Sequence, residues 1–413
     1  MVEKVYNWIK GAPLEEHTKR KHKIIREYFA RYLAVRCAFP AQTKFRLAVV
    51  EGFAGGGRYN CGTSGSPLIF IEELRTAVEQ FNIRRSAEGM APLDIECFLF
   101  FNDLNSATIA FLQSHVEPLL AAIKSEVPRL HIQVSYFTHP FEGVYPEIKR
   151  LLIQGRYQNV LFNLDQCGNS HVERSTIADI ASSFNSAEVF YTFAISSLLA
   201  FLEKTDPKIL LGFLGVATAD LAVLEGRMSN DEFLGAAERL VHEAFKSCAT
   251  YVSPFSIHNP SGWRYWLLHF ANNVRARQEY NNILHKNSSM QAHFGRSGLH
   301  MLTYDPRHEG ALYLFDLDGR DSARKQLMED IPRLVSEFGD VVGVGQFYSS
   351  IYNQTPAHMD DVHSAMIENP DLEVITDKGG ERRKGGTIEG TDTLRMKKQR
   401  SFFPLFLGDK TEK

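Results

Sequence analysis

The chain has 413 residues, 44% hydrophobic and 23% charged, the balance of a globular protein. At roughly 150 residues per domain this predicts about two to three domains, and it excludes a disordered tail, a collagen-like fibre and a disulfide-dense mini-protein. No apolar stretch reaches the ~20 residues of a membrane span, the first residues lack the charge-then-apolar order of a secretory leader, and Cys37, Cys61, Cys97, Cys167 and Cys248 show no C-x-x-C spacing. No membrane partner and no metal site are therefore expected, and the expected compartment is the reducing cytoplasm.

The net charge of −3 is unevenly spread. Residues 1–46 hold eleven Lys or Arg against four Glu, a net of +7, and residues 378–400 hold eight against three acids, a net of +5. The remaining body carries −15. Basic ends on an acidic body predict two places where a polyanion docks, or two solvated faces. The run Lys19-Arg-Lys-His-Lys23 reads as the exposed side of a helix.

In chain order, residues 17–35 predict an amphipathic helix, with Ile24, Ile25, Tyr28, Tyr32 and Val35 at helical spacing. Residues 46–50 form a short β-branched run, followed at once by Glu51-Gly-Phe-Ala-Gly-Gly-Gly57. Ser66 as cap and Pro67 in the first turn open a second helix. Strands follow at 95–101, 131–137, 159–164 and 188–195, with helices after the second (through 120) and third (145–152). This alternation predicts an α/β fold, a Rossmann-like and mostly parallel sheet. Residues 197–245 read as mainly helical, the first part to 235 being an insertion. A hairpin of 251–257 and 263–270 is expected at the sheet edge, and a helix near 276–285. The C-terminal part reads helix (346–352), helix from Thr355-Pro356, strand (372–376), basic glycine-rich tip (378–386), strand (387–396). That order predicts a winged helix-turn-helix. The expected organisation is a basic helical segment (1–40), the α/β domain (41–290), a connector (291–325) and the winged-helix domain (326–405).

The densest functional signal is strand, acid, glycine loop, helix. Glycines let backbone approach a ligand, and the helix beyond presents unpaired N–H groups. The G-x-G-x-x-G register of a dinucleotide site is absent, which argues against an oxidoreductase. The segment resembles motif I of class I S-adenosylmethionine methyltransferases, D-x-F-A-G-x-G, with Glu51 in place of the Asp. The resemblance implies that Glu51 holds the amino end of S-adenosylmethionine, while Phe53, Ala54, Gly55 and Gly57 form the loop around it. Ligands in open parallel sheets bind beyond the carboxyl ends of the strands, at the switch point. That brings in Asp103, as a ribose grip or a helix N-cap, and the segment Asn163-Leu-Asp-Gln-Cys-Gly168. The latter stands where nucleic-acid amino-methyltransferases carry N/D-P-P-Y. Asn163 and Asp165 are thus the candidate catalytic pair, although the prolines and the aromatic are missing. Cys167 reads as a buried inert thiol rather than a nucleophile, and His171 as a surface polar residue rather than a base.

The order of several segments resembles the three-Cys-motif partner protein (TcmP) family. These are the Lys21-His22 helix, Glu51 to Gly55 with Gly65-Ser-Pro67, Leu164-Asp165 with Gly168, residues 265–272, and Lys378-Gly379 through Phe403. The family usually shows Asp-Pro-aromatic-Gly where this chain has Asp165-Gln-Cys-Gly168. The resemblance implies a methyltransferase-like domain, a winged-helix tail and a three-Cys-motif protein as partner. Two readings follow. In one, the chain is an S-adenosylmethionine-dependent methyltransferase acting on nucleic acid, with Lys378, Arg382, Arg383 and Lys384 on phosphates. In the other, it is a non-catalytic adaptor with a degenerate cofactor fold.

Overall fold

The computed structural model describes residues 7–166, 172–194, 241–258, 264–287, 291–293, 299, 302, 312–314 and 317–397. The insertion expected over 197–235, and Cys167, Gly168 and His171, lie outside the described residues. The chain divides into two units, 1–296 with 302–316, and 297–301 with 317–413.

In the first unit, α1 (Glu16–Arg36) precedes β1 (Lys44–Glu51), whose Leu47, Ala48, Val49 and Val50 are fully buried. Near-continuous apolarity is what a strand covered on both faces requires. Then come α2 (Ser66–Ala87), β2 (Asp94–Asn102), α3 (Ser106–Glu126), β3 (Leu130–Phe137), α4 (Phe141–Gln154), β4 (Asn159–Leu164), α5 (Arg174–Ser183) and β5 (Ser186–Phe193). The strands β3, β2, β1, β4 and β5 lie side by side in that order, all parallel. The order reverses between β1 and β4, and a crevice opens beyond the strand ends at such a point.

An antiparallel extension continues from β5. β8 (Arg264–Ala271) pairs with β5, β6 (Tyr251–Ser253) and β7 (Ser256–His258) pair with β8, and β9 (Gln291–His293) and β10 (Leu312–Leu314) complete the sheet. The expected hairpin is therefore present but internal, since β9 and β10 form the edge. Helix α6 (Val274–Lys286) packs on α1, where Arg31 forks onto Glu279 at 2.7 and 2.9 Å. The turn leaving α1 is tied down by the buried Arg85, which donates to the carbonyls of Cys37, Phe39, Pro40, Gln42 and Ala91.

Two sequence expectations change here. Gly65, not Ser66, is the residue before α2, and no side chain caps that helix. At α3 the cap is Asn105, whose Oδ1 accepts from Ala107 and Thr108.

The second unit holds α7 (Leu317–Glu337), β11 (Val341–Gly343), α8 (Val344–Ile351), α9 (Met359–Glu368), β12 (Leu372–Ile375) and β13 (Thr393–Met396). The strands form one antiparallel sheet in the order β11, β13, β12. Buried Asp361 on α9 is gripped by Arg320 and Arg324 of α7. The returning strand is shorter than the sequence suggests: 385–387 is a 3-10 turn, and pairing resumes at Thr393.

Candidate functional site

The carboxyl ends of β1, β2 and β4 gather the residues that sequence reasoning selected in this unit. Glu51 closes β1 opposite Asn163 of β4 and is fully buried. Its Oε2 accepts from Asn163 Nδ2 at 3.0 Å, while Oε1 has no hydrogen-bond partner. Burial, only partly opposed by Asn163 and Ser66, pushes its carboxyl up from the ordinary 4.5 to about 8. Glu51 is therefore mainly a neutral acid at pH 7.

The glycine loop is braced from β2. Ala54 N–H donates to the Asn102 carbonyl at 2.7 Å, and Asn102 Nδ2 donates to the carbonyls of Gly52 and His139 at 3.0 and 2.9 Å. Half-buried Phe53 packs toward Phe141. Asp103 accepts from Gly55 N–H and Asn105 N–H, both at 3.0 Å. It therefore shapes the loop instead of capping α3, and each oxygen keeps a second lone pair. Burial raises its carboxyl, and those two N–H groups reduce the rise without cancelling it.

Gly55 (φ 60°) and Gly57 (φ 79°) lie in the left-handed region. The space their missing Cβ atoms leave is used by the chain itself. A Cβ on Gly55 would come within 2.4 Å of the Trp8 indole, one on Gly56 within 2.8 Å of both Trp8 and Phe111, and one on Gly57 within 2.6 Å of Leu112. Trp8 thus packs against this loop. The arm that carries it is held by Gly11 N–H on the Trp8 carbonyl and Asn60 N–H on the Ala12 carbonyl.

Asp165 lies one residue past β4. Its carboxylate forms an ion pair with the Lys21 ammonium, which also reaches Thr192 Oγ1 at 3.5 Å. Burial pushes Asp165 up, but Lys21 and Thr192 outweigh it and hold the carboxyl below its ordinary value. Lys21 and the adjoining His22 are buried, and only Lys19 and Lys23 of the run follow the exposed side expected for it. Burial lowers His22 to about 4, so its ring is neutral. The signal that finds Lys21 and His22 is the apolar stripe extended backward: positions 21 and 22 precede Ile25 by four and three residues.

The other candidate residues lie in the second unit. Lys378, Arg383 and Lys384 are on the segment joining β12 to β13, all three exposed. Arg382 is not available in the same way. It forks onto buried Asp392 at 2.9 and 3.1 Å. Among the described residues no group of three His, Cys, Asp or Glu could hold a metal, and no helix is long and apolar enough to cross a membrane.

No family model matches the chain, and no curated protein matches it. Among solved structures, a protein described as an O-methyltransferase from Klebsiella pneumoniae is similar over 63% of this chain and 92% of its own, at 9% identity and a TM-score of 0.25. The O-methyltransferase TomG from Streptomyces achromogenes, involved in tomaymycin synthesis and solved with S-adenosylmethionine, is similar over 66% of this chain and 100% of its own, at 10% identity and a TM-score of 0.24. At this level of likeness the reading of the site rests on its own geometry.

Proposed function

We propose that the first unit is a class I methyltransferase-like domain that binds S-adenosylmethionine, and that the protein acts on or binds nucleic acid. The observation that carries this is the orphaned Oε1 of Glu51, buried at the end of β1 beside the point where strand order reverses. A buried acceptor without a donor has a reason when a ligand supplies the donor. The ammonium of S-adenosylmethionine is such a donor, and its arrival favours the ionised form of Glu51. Asp103 has lone pairs left for ribose hydroxyls. Bound there, the cofactor supplies an electrophilic methyl group on a good leaving group. Asp165, kept anionic by Lys21, accepts a hydrogen bond or proton from the acceptor, and Asn163 fixes the Glu51 carboxyl.

For the second unit the helix, strand, helix, helix and two-strand order supports a winged helix-turn-helix, with Lys378, Arg383 and Lys384 toward phosphates. The Asp392 pairing of Arg382 assigns that residue to holding the wing. The resemblance to TcmP proteins supports a three-Cys-motif protein as partner. The unpaired Cys37, Cys61, Cys97 and Cys248 fit a cytoplasmic location. The adaptor reading has one observation in its favour: Asp165 is already satisfied by Lys21 and Thr192.

Calorimetric titration of S-adenosylmethionine into the wild-type protein and Glu51→Gln tests the cofactor. We expect micromolar binding that weakens at least about tenfold in the variant, roughly 1.4 kcal/mol. No binding by the folded wild type would overturn the cofactor assignment. A Gly55 variant is a poor substitute for this test, because it dislodges Trp8 whatever the loop binds.

A further inference from the structure

A pocket of about 460 Å³ opens between α1, the start of α2 and the loop at Thr63 and Ser64. That volume is within the range of small-ligand sites. Four cations line it: Lys19, Arg20, Lys23 and Arg26. Arg26 is held by Glu72 and Glu73 at 2.7 and 2.6 Å, and Arg20 lies 3.5 Å from Glu16, the one carboxylate in the lining. Lys23 has only Glu27 at 4.0 Å, and no carboxylate of the described residues pairs with Lys19. Lys19 and Lys23 are one helical turn apart, so both ammonium groups reach one ligand. The wall also contains His22, whose Nδ1 is buried without a hydrogen-bond partner. His22 is within electrostatic reach of Asp165. The pocket therefore combines two lightly neutralised lysines with a neutral histidine whose Nδ1 has no hydrogen-bond partner.

We infer that this pocket seats a phosphodiester backbone, with Lys19 and Lys23 on its phosphates and His22 hydrogen-bonded to the adjoining nucleoside. This deepens the proposed function, on whose nucleic-acid reading it rests, by giving the first unit a polyanion seat of its own. A polymer is favoured over a free nucleotide because Lys23 is exposed and Lys10 adds a further exposed cation on the segment leading into α1, so the positive charge extends past the pocket.

The test is fluorescence anisotropy of a labelled 20-nucleotide single strand with the full chain, across a salt series. Lys19→Glu with Lys23→Glu should weaken binding about tenfold or more and reduce the slope of log affinity on log salt by about 1.4, from ~0.7 per phosphate contact on a single strand. Both side chains are exposed, so folding is retained, and circular dichroism checks it. The same double variant should bind S-adenosylmethionine as the wild type does, so failure of this site and failure of the cofactor reading give different results. A wing variant, Arg383→Glu with Lys384→Glu, separates the two basic regions. Unchanged affinity and slope in the Lys19/Lys23 variant overturn the inference, as does a wild type that binds no oligonucleotide. Micromolar AMP binding that is lost in the variant while oligonucleotide binding is kept would also overturn it, in favour of a free nucleotide.

Discussion

Two acids, Glu51 fully buried and Asp165 partly buried, stand at the ends of neighbouring strands and meet opposite fates. Glu51 at the end of β1 has the Asn163 amide and Ser66 beside it and no cation in ion-pair contact; Lys21 acts on it only at a distance, so burial leaves it neutral. Asp165 past β4 has the Lys21 ammonium against it, and stays ionised. Desolvation acts on both; the main difference is that the lysine delivered by α1 contacts Asp165, with Thr192 assisting, and reaches Glu51 only at a distance. Glu51 thus has no counter-ion against it, whereas Asp165 already has one.

The most damaging way to break this comparison is to remove the lysine. Lys21→Met strands a partly buried carboxylate and should cost up to about 3 kcal/mol in urea unfolding, the lower end of what breaking a buried pair costs. Lys21→Met with Asp165→Asn should recover much of that loss; equal loss in both variants would mean that packing, not charge, holds α1 there. Glu51 offers the converse. Its carboxyl is raised on folding, from 4.5 to about 8, so the native state binds the extra proton. Its contribution is complete below about 4.5 and is lost as pH rises through 8, at up to about 1.4 kcal/mol per pH unit. Glu51→Gln, which imitates the protonated acid, should remove that component from the pH dependence of the melting temperature. The same shift predicts that S-adenosylmethionine binding releases a proton below pH 8, visible as a dependence of the calorimetric heat on the ionisation enthalpy of the buffer. The smallest effect belongs to Arg382→Ala. It frees the fully buried Asp392 but removes a cation nearer the surface than Lys21, so the melting temperature should fall less than in Lys21→Met.

Much of the first unit could be read from sequence because its strands are covered on both faces. Residues 46–50 and 159–164 give largely apolar runs, and a polar residue follows each and marks a strand end. Less legible was everything decided by tertiary pairing. Lys21 and His22 sit inside a run that composition alone assigns to solvent, and only the stripe of Ile25 and Tyr28 carried back a turn reveals their burial. Asp103 fits the local pattern of a cap, but Gly55 N–H, 48 residues away in sequence, claims its second oxygen. In the second unit, residues 387–392 carry no apolar alternation, and the buried Asp392 looks like any turn acid until Arg382 is folded onto it.

The indole of Trp8 gives the molecule an optical readout of its own. Its ring touches the backbone of Gly55 and Gly56 and lies 5.0 Å, centre to centre, from the Tyr59 ring. Trp266, by contrast, is wholly enclosed in the core. Any event that moves the glycine loop or lifts the arm therefore changes the colour and lifetime of Trp8 emission, against the background of the chain's other two tryptophans, Trp263 and Trp266. Unlabelled protein in a stopped-flow cell then reports the rate of loop rearrangement directly, with Trp8→Phe as the silent control.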